Sequence, residues 1–223
     1  MKILALDTST RTTSLALTED ENVLGLFSLT GSVYHSESID AMIRDIFEKF
    51  DFDINDIDLI GVGIGPGSFT GIRIGLSFAK VLAQVLKKDI VSVSSLDAPA
   101  LREEGLVAPL IDARRGLVYA SLIENREDFK IILPDQIISI EEFSKIVGNR
   151  EVTLQGVDCP KFLGYFQKAR AGKFLQMDAK YIAALALKKY KEEGAEDFYK
   201  LVPNYLKLSQ AENNYANRNK KSF

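Results

Sequence analysis

Short apolar segments separated by polar turns run through the first ninety residues, several of them alternating with the period of two that is typical of strands. Strands are predicted at 3–7, 13–18, 23–29, 58–63 and 90–93. Between the third and fourth strands the period changes to that of an amphipathic helix, over about 36–50. Its apolar positions fall on one face: Ile39, Met42, Ile43, Ile46, Phe47 and Phe50. A second, longer helix is predicted from Ser68 to about Lys87.

The second half of the chain repeats this order. Strands are predicted at 107–111, 117–123, about 130–133 and 152–155. The turn between the first two contains Gly116, which accepts a left-handed backbone conformation. Ser139 is predicted to cap a short helix that Gly148 ends. Further helices are predicted at about 160–168 and 178–193.

Each half therefore has a hairpin whose first strand ends in an aspartate, Asp7 or Asp112, followed by a strand that leads into a helix. This duplicated layout is typical of the actin-like, ribonuclease H-like α/β fold with two lobes, although another doubly wound α/β fold has the same alternation. We predict an N-terminal lobe at 1–100, which carries the partner helices, a C-terminal lobe at 101–208, and a flexible polar tail at 209–223.

Composition excludes several kinds of chemistry. The 28 basic and 31 acidic residues give a net charge of −3, which disfavours a protein that holds nucleic acid unaided. The basic tail residues Arg218, Lys220 and Lys221 are interpreted as a solvated terminus, with RNA contact as the alternative.

A single histidine, His35, and a single cysteine, Cys159, cannot form a His/Cys zinc site. A Ser-His-Asp protease would have to use His35, for which a structural role at a helix start is expected. No uninterrupted apolar run approaches membrane length, so a cytoplasmic protein is expected.

Gly61, Gly63, Gly65 and Gly67 recur with a period of two and lead into the second helix. The amides at such a helix start can hold an anion. However, Gly71 is followed by Ile72 rather than the lysine of a phosphate loop, and the spacing does not fit a dinucleotide fingerprint.

Within the helix, small residues fall at successive i+4 positions: Gly71, Gly75, Ala79 and Ala83. Such a stripe lets a second helix approach closely. Either it packs inside the chain against the helix at 36–50, or it contacts another subunit.

The run from Gly65 to Gly75 resembles the signature of the YeaZ/TsaB family. Three further segments agree with that family: the opening 3–9, the turn 112–116 with 118–120 after it, and the ending 203–206. The resemblance covers nearly the whole chain, and it implies an actin-like protein that takes part in placing a threonylcarbamoyl group on the adenosine beside the tRNA anticodon.

In this family, the resemblance further implies, the protein is a required but non-catalytic partner. The catalytic subunit is a larger TsaD-type relative, a TsaE-type ATPase joins the assembly, and ATP and a metal belong to those partners. The chain is expected to form homodimers when alone and to meet tRNA only through the complex. The predicted partner surface lies on the first-lobe helices: Ile39, Met42, Ile43, Ile46, Gly71, Ile72, Gly75, Leu76, Ala79 and Ala83.

Metal-binding relatives carry two histidines one helical turn apart, whereas here Ile39 follows His35 at that distance. The loop after Asp7 has no glycine, and the loop after Asp112 places bulky arginines where a phosphate would need access. We therefore predict a vestigial nucleotide cleft without catalytic, cofactor or metal residues. Its members are Asp7, Thr8, Ser9, Asp112, Arg114 and Arg115. The alternatives are an ATP-dependent phosphotransferase of the same fold, favoured by Asp7 and Asp112, and a glycoprotease-like peptidase.

Overall fold

The structure, a computed structural model, describes residues 1–31, 35–50, 52–173 and 176–206, without the side chains of 35–38. The predicted tail at 209–223 and the side chain of His35 lie outside these residues.

Two five-stranded sheets form the centres of the two lobes in the described part of the chain. The first is ordered β3-β2-β1-β4-β5; β1, β2 and β3 are antiparallel, and β4 and β5 continue the sheet in parallel. Its strands are β1 (Lys2–Asp7), β2 (Thr12–Glu19), β3 (Asn22–Thr30), β4 (Leu59–Gly63) and β5 (Asp89–Val93). Between them lie the helices α1 (His35–Phe50) and α2 (Phe69–Leu86).

The second sheet repeats the same order and the same strand directions, as β8-β7-β6-β9-β10. Its elements are β6 (Gly105–Arg114), β7 (Leu117–Asn125), β8 (Phe129–Ser139), α3 (Ile140–Val147), β9 (Val152–Gln155) and β10 (Ala169–Ala171). The predicted duplication and the two-lobed α/β fold are therefore confirmed.

The last helix, α4 (Ala179–Glu193), packs on the first lobe rather than on the second. Its residues Ile182 and Ala186 share a buried cluster with Ile3 and Val91 of the first sheet, while α1 and α2 cover the opposite face of that sheet. The first sheet is thus covered on both faces, which explains why β1 is apolar on both sides. The predicted lobe at 101–208 is corrected, because the chain returns to the first lobe after β10.

The helix predicted at 160–168 is also wrong. Two short 3₁₀ turns, Cys159–Lys161 and Leu163–Tyr165, occupy this segment, and β10 follows. Gly164 lies in the middle of the segment and disfavours a continuous helix.

Among the described residues, α2 is the one helix that is long and apolar enough to cross a membrane, with 18 residues and a mean hydropathy of 1.3. One of its faces lies in the core, where Ile72 and Ala79 are almost fully buried. A core helix of this length passes the same test, so length and composition alone do not assign α2 to a membrane.

Candidate functional site

Asp7, at the end of β1, is fully buried and its carboxylate is fully engaged. Oδ1 accepts hydrogen bonds from the backbone N–H of Ser9 (2.9 Å) and from its hydroxyl (2.7 Å). Oδ2 accepts one from the hydroxyl of Ser95 (2.5 Å) and lies against Gly63, where an added Cβ would collide with it. A carboxylate that is satisfied in this way and covered by Gly63 does not face the cleft between the lobes.

Thr8 explains the glycines of α2. Its hydroxyl donates a hydrogen bond to the carbonyl oxygen of Gly71 (2.6 Å). A Cβ at Gly71 would collide with the Thr8 carbonyl oxygen, and a Cβ at Gly75 would collide with the Thr8 hydroxyl. The small-residue stripe therefore lets the loop after β1 approach the helix, which is a contact within the chain.

A cleft of about 1040 Å³ lies between the two lobes. Of the predicted members of the vestigial site, Ser9, Asp112 and Arg114 line it, whereas Asp7 and Thr8 lie beneath its wall and Arg115 lies outside its lining. Sequence reasoning missed several lining side chains that carry polar groups: Thr10, Arg11, Thr12, Thr30, Ser68, Thr70, Asp158 and Lys161. These positions come from the turn after β1 and the start of β2, the end of β3, the start of α2 and the segment after β9, and only the folded chain brings them together.

The second-lobe side of the cleft is a tight hairpin turn. Asp112 Oδ1 accepts the backbone N–H of Arg114 (2.8 Å), and Oδ2 accepts the Lys161 ammonium (3.4 Å). The backbone N–H of Arg114, and to a lesser extent Lys161, holds the pKa of Asp112 below its ordinary value. Arg114 and Arg115 both adopt left-handed backbone conformations, with φ of 69° and 58°, and Gly116 does so as predicted.

Among the described residues, no group of three or more His, Cys, Asp or Glu side chains is placed to hold a metal ion. Cys159 is fully buried, and burial raises the pKa of its thiol to about 11.

The predicted partner surface on α1 and α2 is wrong in its choice of face. Nine of the ten residues are buried in the chain's own core, and Ile43 alone is half-exposed. The buried ones are Ile39, Met42, Ile46, Gly71, Ile72, Gly75, Leu76, Ala79 and Ala83. The physical reason is that the small residues of α2 face the sheet and the loop after β1, so they are not accessible on the surface of the chain.

The side of α2 opposite these small residues carries an apolar seam, defined here as Ile74, Phe78, Val81 and Val85. The spacing of 4, 3 and 4 residues is that of the contact positions in helix–helix pairs. Val81 and Val85 are 59% and 71% exposed, and Ile74 and Phe78 are half-buried against the core. Ile43 of α1 is a half-exposed apolar side chain that packs against the same core cluster as Ile74 and Phe78.

Comparisons with known proteins agree with this architecture. A family model described as "TsaD: tRNA N6-adenosine threonylcarbamoyltransferase" matches residues 30–215. The tRNA threonylcarbamoyladenosine biosynthesis protein TsaB of Bacillus subtilis is 32% identical over 95% of this chain and 96% of its own length. The protein of the same name from Haemophilus influenzae is 29% identical, over 93% of this chain and 94% of its own.

Among solved structures, YeaZ from Pseudomonas aeruginosa superimposes with a TM-score of 0.81. The match covers 92% of this chain and 99% of that one, at 24% identity, and it confirms the two-lobed actin-like fold.

Proposed function

Because this chain belongs to the TsaB family and takes part in tRNA threonylcarbamoyladenosine biosynthesis, we propose that it is the non-catalytic, required partner of a TsaD-type catalytic subunit. In this role it docks through the apolar seam of α2 and supports threonylcarbamoylation of the adenosine next to the tRNA anticodon.

The seam is the observation that carries the proposal. Val81 and Val85 expose apolar surface in the C-terminal half of an 18-residue helix, with the spacing of a helix–helix contact. Burial of such surface is the main favourable term in association. The charged pairs of α1, Arg44 with Asp40 and Lys49 with Asp45, lie on exposed positions of the neighbouring helix, as is usual at the rim of an interface.

The geometry of Asp7 supports the non-catalytic part of the proposal. In this arrangement the carboxylate has three hydrogen bonds and lies behind Gly63. The Asp7 carboxylate would have to lose these hydrogen bonds before it could orient a phosphate or a metal-bound water. The buried donors of Ser9 and Ser95 would then have no acceptor, which costs free energy.

Resemblance to the family supports the remaining parts of the proposal. The chain carries no cofactor of its own, with ATP and the metal held by its partners. A TsaE-type ATPase joins the same assembly, tRNA is met through the complex, and the isolated chain pairs with a second copy through the same seam. The assembly works in the cytoplasm.

The test uses Val81→Glu and Val85→Glu, with Ile146→Glu as the matched control. Ile146 is an apolar residue on helix α3 of the second lobe and is 40% exposed. A glutamate at the centre of a helix–helix contact is buried without a partner. We expect each seam variant to bind a purified TsaD-type subunit at least tenfold more weakly, about 1.4 kcal/mol, with an unchanged melting temperature, whereas Ile146→Glu binds as the wild type.

If calorimetry showed that all three variants bind the TsaD-type subunit as tightly as the wild type, the proposed docking site would be wrong. The non-catalytic role is tested separately, by threonylcarbamoyl transfer to tRNA with each subunit alone and with both. We expect transfer only when both are present; transfer by this chain without the TsaD-type subunit would refute the proposal.

A further inference from the structure

Two carboxyl groups meet where the lobes join. Asp97 lies in the connection that leaves β5 of the first sheet, and Asp135 lies on β8 of the second. Asp97 is 7% exposed, and the Ser94 hydroxyl joins it to Asp135, because it accepts the backbone N–H of Asp97 (3.1 Å) and donates to the Asp135 carboxylate (2.7 Å). Two ionised carboxylates both accept and neither donates, so a hydrogen bond between these neighbours requires a shared proton.

The remaining oxygen atoms are fixed by neutral donors. Asp97 Oδ1 accepts the hydroxyl of Ser121 (2.8 Å). Asp135 Oδ2 accepts the hydroxyl of Ser94 (2.7 Å) and the side-chain amide of Asn204 (3.1 Å). Asp135 Oδ1 is buried, and no N–H or O–H group in the described part of the chain donates to it, so a proton on Asp97 supplies the donor it lacks.

These contacts tie the second lobe to the first. Asn204 also donates its backbone N–H to the carbonyl oxygen of Ile64, just after β4 (2.8 Å). Ser95, next to Ser94, donates its backbone N–H to the carbonyl oxygen of Gly65 (3.0 Å) and its hydroxyl to Asp7. A hydrogen-bonded chain therefore runs from the end of β1 to β8, beside a cleft that Ser95 itself lines.

We propose that the Asp97–Asp135 pair is a proton-dependent latch between the two lobes, closed while the pair shares a proton and open when the proton is lost. Without the proton, two negative charges in a buried site repel each other. The groups bonded to the pair from the segment after β5, from β7 and from the C-terminal segment are the neutral Ser94, Ser121 and Asn204, so none of them neutralises the second charge.

The local environment places this transition at mildly alkaline pH. Burial, with the neighbouring Asp135 charge, raises the pKa of Asp97 to about 8. Burial also raises the pKa of Asp135, which the hydrogen bonds from Ser94 and Asn204 oppose. The latch is therefore closed at neutral pH and opens as the pH passes through about 8.

The first experiment measures the distance between the lobes on the isolated chain, so it does not depend on the partner proposal. Fluorophores are attached at Val23→Cys in the first lobe and Ile146→Cys in the second, both exposed positions, while the buried Cys159 stays unlabelled. We expect the transfer efficiency to change between pH 6 and 9.5 with a midpoint near 8. In Asp97→Asn, whose amide keeps the donor without titrating, we expect no change. A constant wild-type distance, or the same transition in Asp97→Asn, would overturn the proposal.

A second measurement keeps the proposal testable if the labelled variants fold poorly. A folded-state pKa above the unfolded value means that the folded chain binds the proton more tightly, so stability is lost as the pH rises towards 8. Urea unfolding of the unlabelled wild type should show this loss between pH 5 and 8, relative to Asp97→Asn, while small-angle scattering follows the radius of gyration. Parallel stability curves for the two proteins would refute the latch.

Discussion

The hydroxyl of Thr8 donates a hydrogen bond to the carbonyl oxygen of Gly71 at 2.6 Å, and the same side chain fills the space beside Gly75. The loop after β1 is therefore pressed against the first turns of α2. This contact accounts for two glycines in a helix interior, each of which costs about 1 kcal/mol relative to alanine.

The two glycines should respond differently to the removal of the Thr8 side chain. Gly75→Ala meets the Thr8 hydroxyl, so it should destabilise the wild type by about 1–3 kcal/mol of overpacking and much less in a Thr8→Ala background. Gly71→Ala meets the Thr8 backbone carbonyl oxygen, which Thr8→Ala leaves in place. Urea unfolding of the two double-mutant cycles checks this: a rescue of both glycine variants, or of neither, would contradict the contact.

Local sequence patterns predict the strands and helices of the first lobe well. They do not predict which face of α2 is buried, because that depends on contacts between residues far apart in the chain. Ser68 accepts the backbone N–H of Gly71 (3.2 Å) and begins α2 as expected, and the repeated hairpins predicted the duplicated fold. The small-residue face of α2 is predicted as a partner surface but is buried within the chain. The prediction is wrong because a row of small residues fits a partner helix and a neighbouring loop equally well. Thr8, which decides between them, lies 63 residues from Gly71 in the sequence.

The same limit applies to α4 and to the cleft. The periodicity of 178–193 predicted a helix, but it contains no information on which sheet covers its apolar face. Asp97 and Asp135 are ordinary carboxylates in the sequence, and only the junction of the lobes places the half-buried Asp135 beside the buried Asp97.

Asp112 should titrate below the ordinary range of an aspartate in carbon-13 NMR. The largest cause is the N–H of Arg114, and the Lys161 ammonium adds less. Lys161→Met should therefore raise the pKa of Asp112 only part of the way. Lys168→Met removes an exposed lysine that does not contribute to the lowered pKa, so it should leave that pKa unchanged.

Because the pKa of Asp112 is lowered, any stability that it contributes is present above 3.8, the ordinary pKa of an aspartate, and is lost only as the pH falls below that value. If the pKa of Asp112 returned fully to its ordinary value in Lys161→Met, the Lys161 ammonium rather than the N–H of Arg114 would be the main cause of the lowered pKa.

Cys159 should be inert in the native protein. It is fully buried, and burial raises the pKa of its thiol to about 11, so almost none of the reactive thiolate is present at neutral pH. Val157→Cys provides a control, because residue 157 is 50% exposed and lies two positions away. With a thiol-specific disulfide reagent at pH 7, the wild type should react only when unfolded, whereas Val157→Cys should react with one equivalent at once. Rapid native labelling of the wild type would contradict the burial.

The C-terminal segment is held against α2 by a stack of three side chains. The ring of Tyr205 stacks on Phe69 with centroids 4.7 Å apart, its hydroxyl accepts the Nε–H of Arg73 (2.5 Å), and the Arg73 guanidinium lies 3.9 Å from the Phe69 ring centre. An aromatic pair of this kind contributes about 0.5–1.5 kcal/mol beyond its buried area. The stack therefore anchors the segment that also carries Asn204.

Tyr205→Ala should loosen this segment while the two lobes stay folded. We expect faster hydrogen exchange at the backbone amides of Asn204 and Tyr205, which donate hydrogen bonds to the carbonyl oxygens of Ile64 and Pro203, respectively. The melting temperature should fall by only a few degrees. Tyr205→Phe keeps the ring stack and loses the hydrogen bond, so its exchange rates should lie between those of the wild type and Tyr205→Ala. Exchange in Tyr205→Ala at the wild-type rate would show that the backbone hydrogen bonds, rather than the aromatic stack, hold the segment in place.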